Sequence, residues 1–82
     1  MKEFIEYLVK QLVDEPEMVI VEETTIDDQT IGLTLKVADN DIGKVIGKKG
    51  KNIQALRTLL NAVGAKGGHR ATLEILDKDS NA

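Results

Sequence analysis

The chain has 82 residues, a net charge of −3 at pH 7 and no cysteine. This length fits one small domain, and the lack of cysteine excludes disulfides, thiolate chemistry and the common zinc clusters. The N-terminus is acidic, and no apolar run reaches the roughly 18 residues that cross a bilayer. The sequence therefore predicts a cytoplasmic protein with no targeting segment and no membrane contact.

The first third of the chain predicts a helix followed by a β-hairpin. Between Lys2 and Val13 the apolar residues recur at helical spacing: Phe4, Ile5, Leu8, Val9, Leu12 and Val13. Pro16 ends this helix because its ring cannot continue it. Residues 18–25 are rich in Val, Ile and Thr, and residues 31–37 alternate apolar with polar side chains, so each predicts a strand. The polar residues 27–29 form the turn between them.

The rest of the chain predicts two helices, a glycine turn and a last strand. A short helix carries Ile42, Val45 and Ile46, has Asp39 or Asn40 as its N-cap and ends at Gly47. A longer helix begins at Lys51 and ends at Gly64, and alternation at Ala71, Leu73 and Ile75 predicts the strand. This order predicts one α+β domain over residues 1–82, with a core of about residues 2–77 and a frayed tail at 78–82. Its three strands form a sheet with the helices packed on one face.

Charge is distributed unevenly along the chain. Residues 42–73 contain no acid but seven basic side chains: Lys44, Lys48, Lys49, Lys51, Arg57, Lys66 and Arg70. The remainder holds all 14 acids. The acidic average argues against a nucleic-acid binder, but the split predicts one side of the molecule that attracts anions. A solvated charged face is the alternative, and the coincidence with a glycine-rich turn favours an anion site.

That turn is Gly47-Lys48-Lys49-Gly50. Glycine permits backbone angles that a Cβ closes, and it leaves no side chain to hold a ligand away. The free N–H groups at the start of the next helix, at Lys51 and Asn52, also attract anions. The spacing does not fit the dinucleotide or Walker motifs, because position 45 is Val and position 48 is Lys. The turn therefore predicts a site for a phosphate chain, and a simple hinge is the alternative.

The segment Ile42–Ile53 resembles the signature of KH domains, in which a GxxG loop holds a short single strand of nucleic acid. The apolar frame Val-Ile-Gly-x-x-Gly-x-x-Ile matches together with the glycines. The element order, with its extra helix and strand first, is similar to the type II, prokaryotic arrangement, which implies a mixed sheet. The resemblance covers nearly the whole chain and extends to small bacterial RNA-binding proteins with a single KH domain.

The resemblance implies an RNA site residue by residue. The sugar-phosphate backbone would be held by Gly47, Lys48, Lys49 and Gly50. The bases would lie on an apolar groove formed by Ile42, Gly43, Ile46 and Ile53. Candidate rim contacts on the far wall are Lys66, His69 and Arg70, although His69 alone is more simply a solvated residue. The remaining RNA-binding candidates in the same basic segment are Lys44, Lys51, Asn52 and Arg57.

The resemblance also implies partners. A groove of about four nucleotides would bind single-stranded RNA with micromolar affinity and a log–log salt slope of about −0.7 per phosphate. Pairing two grooves, as a homodimer or as a heterodimer with a Jag-type KH protein, would raise the avidity. The expected role is a small post-transcriptional regulator or RNA chaperone with no cofactor or metal.

Two other classes of function stay open. A helix-turn-helix DNA binder would place Lys51, Asn52, Gln54 and Arg57 in a duplex major groove. A protein–protein interaction module, such as a dimerisation module, would use the apolar helix faces of a KH scaffold and leave the loop charge incidental. An enzyme is disfavoured because residues 42–73 offer no carboxylate as base or metal ligand.

Overall fold

A computed structural model describes residues 2–76 of the chain, so the predicted frayed tail at 78–82 lies outside the described residues. The helices are α1 (Lys2–Leu12), α2 (Ile42–Ile46) and α3 (Lys51–Lys66). The strands are β1 (Ile20–Asp27), β2 (Thr30–Lys36) and β3 (Arg70–Ile75). Short 3₁₀ turns occupy Pro16–Met18, Asp39–Asp41 and Lys48–Gly50. The predicted element order is confirmed.

The three strands form one mixed sheet in the order β1-β2-β3. β1 and β2 are antiparallel, with Val21 opposite Leu35, and β2 and β3 are parallel, with Leu33 opposite Leu73. The tight β1–β2 connection gives the antiparallel pair, whereas the parallel pair requires the long crossover that α2 and α3 provide. The predicted mixed sheet is confirmed.

The core lies between one face of the sheet and the three helices. Alternate strand residues Val21, Leu33, Leu35, Ala71 and Leu73 are buried there. The helices contribute Ile5, Val9, Val45, Ile53, Leu56 and Leu60. Each large aliphatic side chain buried in this way stabilises the fold by about 1.5–3 kcal/mol. The opposite face of the sheet is open, because Ile20 and Ile26 of β1 are about half exposed.

The predicted C-terminal end of α3 was wrong. α3 does not end at Gly64, which is buried within it, but continues to Lys66. The helix is instead terminated by Gly68, which has a φ of 76°, and by the His69 N–H, which donates to the Gly64 carbonyl at 2.8 Å. A glycine that is buried in helix packing is tolerated inside the helix. The left-handed conformation that ends the helix is adopted by a later glycine.

The predicted N-cap of α2 was also wrong. Asp39 and Asn40 lie inside the 3₁₀ turn that precedes α2, and Asp41 occupies the N-cap position. Asp41 makes no capping hydrogen bond to α2, because its carboxylate points to a different segment of the chain. The first strand likewise begins at Ile20 rather than at residue 18, since Pro16–Met18 forms a turn.

Candidate nucleic-acid interface

The GxxG loop, residues 47–50, reverses the chain between α2 and α3. Gly47 has φ 76° and ψ 171°, Lys49 has φ 58° and ψ 25°, and Gly50 has φ 77° and ψ 15°. Three of the four loop residues therefore have positive φ, which is unfavourable for any residue with a Cβ. The Gly50 N–H donates to the Gly47 carbonyl at 3.1 Å and closes the turn. The glycines are required here by the backbone itself.

Positive charge and the N-terminal end of α3 meet at this loop. Lys48, Lys49 and Lys51 are all exposed. α3 begins directly after Gly50, which has no side chain to cap the first N–H groups of the helix. The prediction of a free N–H at Lys51 was wrong, because this group donates to the Lys48 carbonyl within the loop. These amides carry the positive end of the helix dipole toward the same solvent region as the lysines. The arrangement suits a chain of phosphates that runs past the loop.

α2 presents an apolar surface beside the loop. Val45 is fully buried in the core, whereas Ile42 and Ile46 are half-buried and Gly43 is exposed. A Cβ built on Gly43 meets no atom within 4 Å, so the space above it is open. Ile53 of α3 is only 6% exposed and belongs to the core beneath this surface. The structure thus places the predicted apolar residues next to the loop, with Ile53 as support for the others.

A buried carboxylate anchors the start of α2, and sequence reasoning missed it. Asp41 is fully buried and accepts hydrogen bonds from the N–H groups of Asp14 at 3.1 Å and Glu15 at 3.0 Å. Burial alone would raise the pKa of Asp41, but these two amides and the Lys44 ammonium hold it below its ordinary value. The only sequence signal was an acid three residues before Lys44, directly ahead of a short apolar helix.

Three predicted contacts already have partners within the protein. The Lys44 ammonium binds the Asp14 carboxylate and lies 3.6 Å from Asp41 Oδ1. The Asn52 side-chain amide donates to the Lys44 carbonyl at 2.8 Å. The Arg57 guanidinium donates to the Leu73 carbonyl through Nε at 3.2 Å and Nη2 at 3.1 Å, which ties α3 to β3. Their contact with RNA stays a prediction.

The predicted rim residues lie away from the loop. Lys66 ends α3, and 15 residues of helix separate it from Lys51 by about 22 Å. His69 follows at the same end and is exposed. Arg70 alternates with the buried Ala71, so it points toward the open face of the sheet. The pKa of Asp27 is lowered mainly by the hydrogen bond from the Gln29 N–H, and the Arg70 charge adds a smaller effect. The structure therefore gathers the loop residues but not Lys66, His69 and Arg70.

Two shallow concavities lie elsewhere. A groove of about 250 Å³ between α1 and α3 is lined by Leu8, Gln11, Leu12, Asn52, Ala55, Leu56 and Leu59. A depression of about 220 Å³ on the open sheet face is lined by Thr24, Ile26, Gly32, Leu33, Thr34, Thr72 and Glu74. Within residues 2–76, no three acidic or histidine side chains gather as a metal site, and no helix there is long and apolar enough to span a membrane.

The α-β-β-α-α-β order, the mixed sheet and the GxxG loop between two helices define a type II KH domain. The model of the KhpA/KhpB KH-domain family matches residues 2–75, and the chain belongs to that family.

Relatives of similar length share nearly half of the sequence. RNA-binding protein KhpA of Chlamydia pneumoniae is 47% identical over 78 residues, which cover 95% of this chain and 99% of the relative. The KhpA of Clostridium acetobutylicum is 46% identical, with 93% and 100% coverage. That of Aquifex aeolicus is 43% identical, with 94% and 96% coverage. No solved structure is significantly similar to the chain.

Proposed function

We propose that this protein binds short segments of single-stranded RNA at the GxxG loop and the adjoining surface of α2. The observation that carries the proposal is the loop itself: a tight turn with two exposed lysines, set against the uncapped start of α3. The relatives are named RNA-binding proteins, which supports the same ligand. The proposed role is binding rather than catalysis. The proposed location is the cytoplasm, where the protein would meet RNA.

The side chains divide into two roles. Phosphates lie along Gly47–Gly50 and the ammonium of Lys51, where positive charge is exposed. Bases lie over Ile42, Gly43 and Ile46, the open apolar part of α2, with Ile53 beneath them. The lack of aromatic side chains in this segment favours aliphatic packing over ring stacking. Lys44, Asn52, Arg57 and Arg70 act on RNA indirectly or at the margin of the site.

A single groove of this size binds weakly, so we also propose that two grooves act together. The apolar groove between α1 and α3, with Leu12 and Leu59 more than a third exposed, is the surface best suited to a protein partner. The partner is a second copy of the chain or a Jag-type KH protein, in line with the pairing of KhpA and KhpB in the family name. In this form the protein acts as a post-transcriptional regulator or RNA chaperone.

Charge reversal in the loop tests the RNA site. Lys48→Asp with Lys49→Asp is compared with Lys2→Asp with Lys36→Asp, which makes the same change of net charge at two exposed lysines outside the site. Fluorescence anisotropy with a short unstructured RNA should show at least a tenfold loss for the loop variant and little change for the control. The salt slope should fall by about 1.4, which corresponds to two phosphates.

The same experiment separates the other functions. Equal affinity of the loop variant and the wild type would reject the RNA clamp. A wild-type preference for duplex DNA over single-stranded RNA would favour the helix-turn-helix function. A normal protein complex with no RNA binding in either form would favour the interaction module, for which the apolar groove between α1 and α3 is the supporting observation.

A further inference from the structure

We propose that Asn52 is a positioning residue that fixes the GxxG loop in its RNA-accepting shape and does so from within the protein, without being a ligand contact itself. The inference rests on the proposed function and deepens it. In this proposal, the positions of Lys48 and Lys49 depend on a side chain outside the loop. Three observations on Asn52 carry it.

The first observation is packing against Gly47. A Cβ built on Gly47 would lie 2.7 Å from Asn52 Cγ, 2.9 Å from Asn52 Cβ and 2.8 Å from the Asn52 backbone nitrogen. The Asn52 side chain therefore lies directly on the loop backbone where a methyl group would otherwise be. Gly47 and Asn52 form a matched pair in which a glycine makes room for an asparagine.

The second observation is a hydrogen bond that spans the loop. The Asn52 side-chain amide donates to the Lys44 carbonyl at 2.8 Å. α2 is only five residues long, so the Lys44 carbonyl is one of the terminal acceptors that the helix cannot satisfy by itself. The Asn52 amide satisfies this carbonyl, and the bond joins the end of α2 to the first turn of α3. It holds the two ends of the loop at a fixed separation.

The third observation is that the loop needs such support. Lys49 is the only non-glycine residue with positive φ within residues 2–76. A lysine in this conformation is disfavoured unless its surroundings impose it. The Gly50–Gly47 hydrogen bond closes the turn, and within residues 2–76 the Asn52–Lys44 bond is the side-chain hydrogen bond that links the two flanking helices. Without that bond the loop should exchange among turn conformations and present its lysines less often in register with phosphates.

The network behind Lys44 continues the restraint. Its ammonium binds the Asp14 carboxylate and lies close to the buried Asp41, which accepts the backbone amides of residues 14 and 15. The residue that accepts the Asn52 amide is therefore itself held at both its backbone and its side chain. Because Asn52 packs against Gly47, the same restraint extends to the loop.

The test uses two variants and a matched control. Asn52→Ala removes both the packing and the donor, and Asn52→Leu keeps the branched volume against Gly47 but has no donor. Asn40→Ala makes the same deletion as the first variant at an exposed asparagine outside the loop. NMR backbone order parameters of Lys48 and Lys49 are measured without RNA, and anisotropy gives the affinity for a short unstructured RNA.

Both Asn52 variants should lower the two order parameters and weaken RNA binding about fivefold, the change expected for one hydrogen bond. Asn40→Ala should change neither quantity. In a Lys48→Ala, Lys49→Ala background, Asn52→Leu should have almost no further effect on affinity, because the side chains that it positions are gone. A melting curve for each variant confirms that the chain is folded.

Different failures have different signatures. Unchanged order parameters in folded Asn52 variants would overturn the inference. So would a full, additive loss of affinity in the double-alanine background, since that result identifies Asn52 as a direct RNA contact. If the wild type binds no RNA, the proposed function fails, and the order parameters alone still decide whether Asn52 fixes the loop.

Discussion

Replacement of Gly47 by alanine should be among the most damaging single-methyl changes in this domain. Its φ of 76° and ψ of 171° lie in a region that is essentially restricted to glycine, and a residue forced into it costs about 1–3 kcal/mol. The added methyl would also lie 2.8 Å from the Asn52 backbone nitrogen, which cannot rotate away. Overpacking of this kind costs about another 1–3 kcal/mol. Urea denaturation should therefore show Gly47→Ala losing about 2–6 kcal/mol in the free energy of unfolding.

Alanine substitutions at three other glycines serve as references for this measurement. Gly50 and Gly68 have φ values of 77° and 76°, but a Cβ on either has no neighbour closer than 3.9 Å, so each alanine should cost about 1–2 kcal/mol. Gly43 is helical with open space around it, so alanine there should stabilise the domain by about 0.5–1 kcal/mol. If Gly47→Ala costs no more than Gly68→Ala, the loop does not have the geometry described and the reasoning fails.

Two further predictions concern stability. The pKa of Asp41 is held below its ordinary value of 3.8, so the stability that its carboxylate contributes is present above about pH 4 and is lost as the pH falls through the folded pKa. Asp41→Asn should therefore flatten the loss of unfolding free energy between pH 5 and pH 2. A loss parallel to that of the wild type would refute this prediction. Leu60→Ala should cost about 2–5 kcal/mol and Leu59→Ala under about 1 kcal/mol in urea denaturation, because Leu60 is fully buried and Leu59 is 45% exposed; equal losses would contradict the assigned face of α3.

The secondary structure followed from local patterns because each element buries one face. Alternation at Leu33 and Leu35 and helical spacing at Ile5 and Val9 mark residues that do become core, whereas Leu12 of the same helical pattern is exposed. The positive φ angles of Gly47 and Gly50 were also foreseen, since two glycines three positions apart between helices have few other uses, but that of Lys49 was not. Local periodicity was sufficient to predict the elements, whereas glycine chemistry gave the turn at residues 47–50 but misplaced the end of α3 at Gly64.

Contacts between distant segments were not foreseen. The Asp41 carboxylate binds amides 26 and 27 residues earlier in the chain, and the Arg57 guanidinium reaches a carbonyl 16 residues later. No local pattern specifies such partners. Arg70 is different, because its alternation with the buried Ala71 already indicated that it points away from the core. Its assignment to the rim of the RNA site came from the resemblance and stays a prediction.

The most direct measurement is a ¹H–¹⁵N NMR titration of the wild-type chain with a short unstructured RNA. Shifts should concentrate in residues 42–53, centred on the loop amides of Gly47–Gly50, and should weaken as salt is raised. The open sheet face, represented by Thr24 and Thr72, should stay unchanged. Shifts centred on that face, or none around the loop at low salt, would contradict the assignment of the GxxG loop as the RNA site.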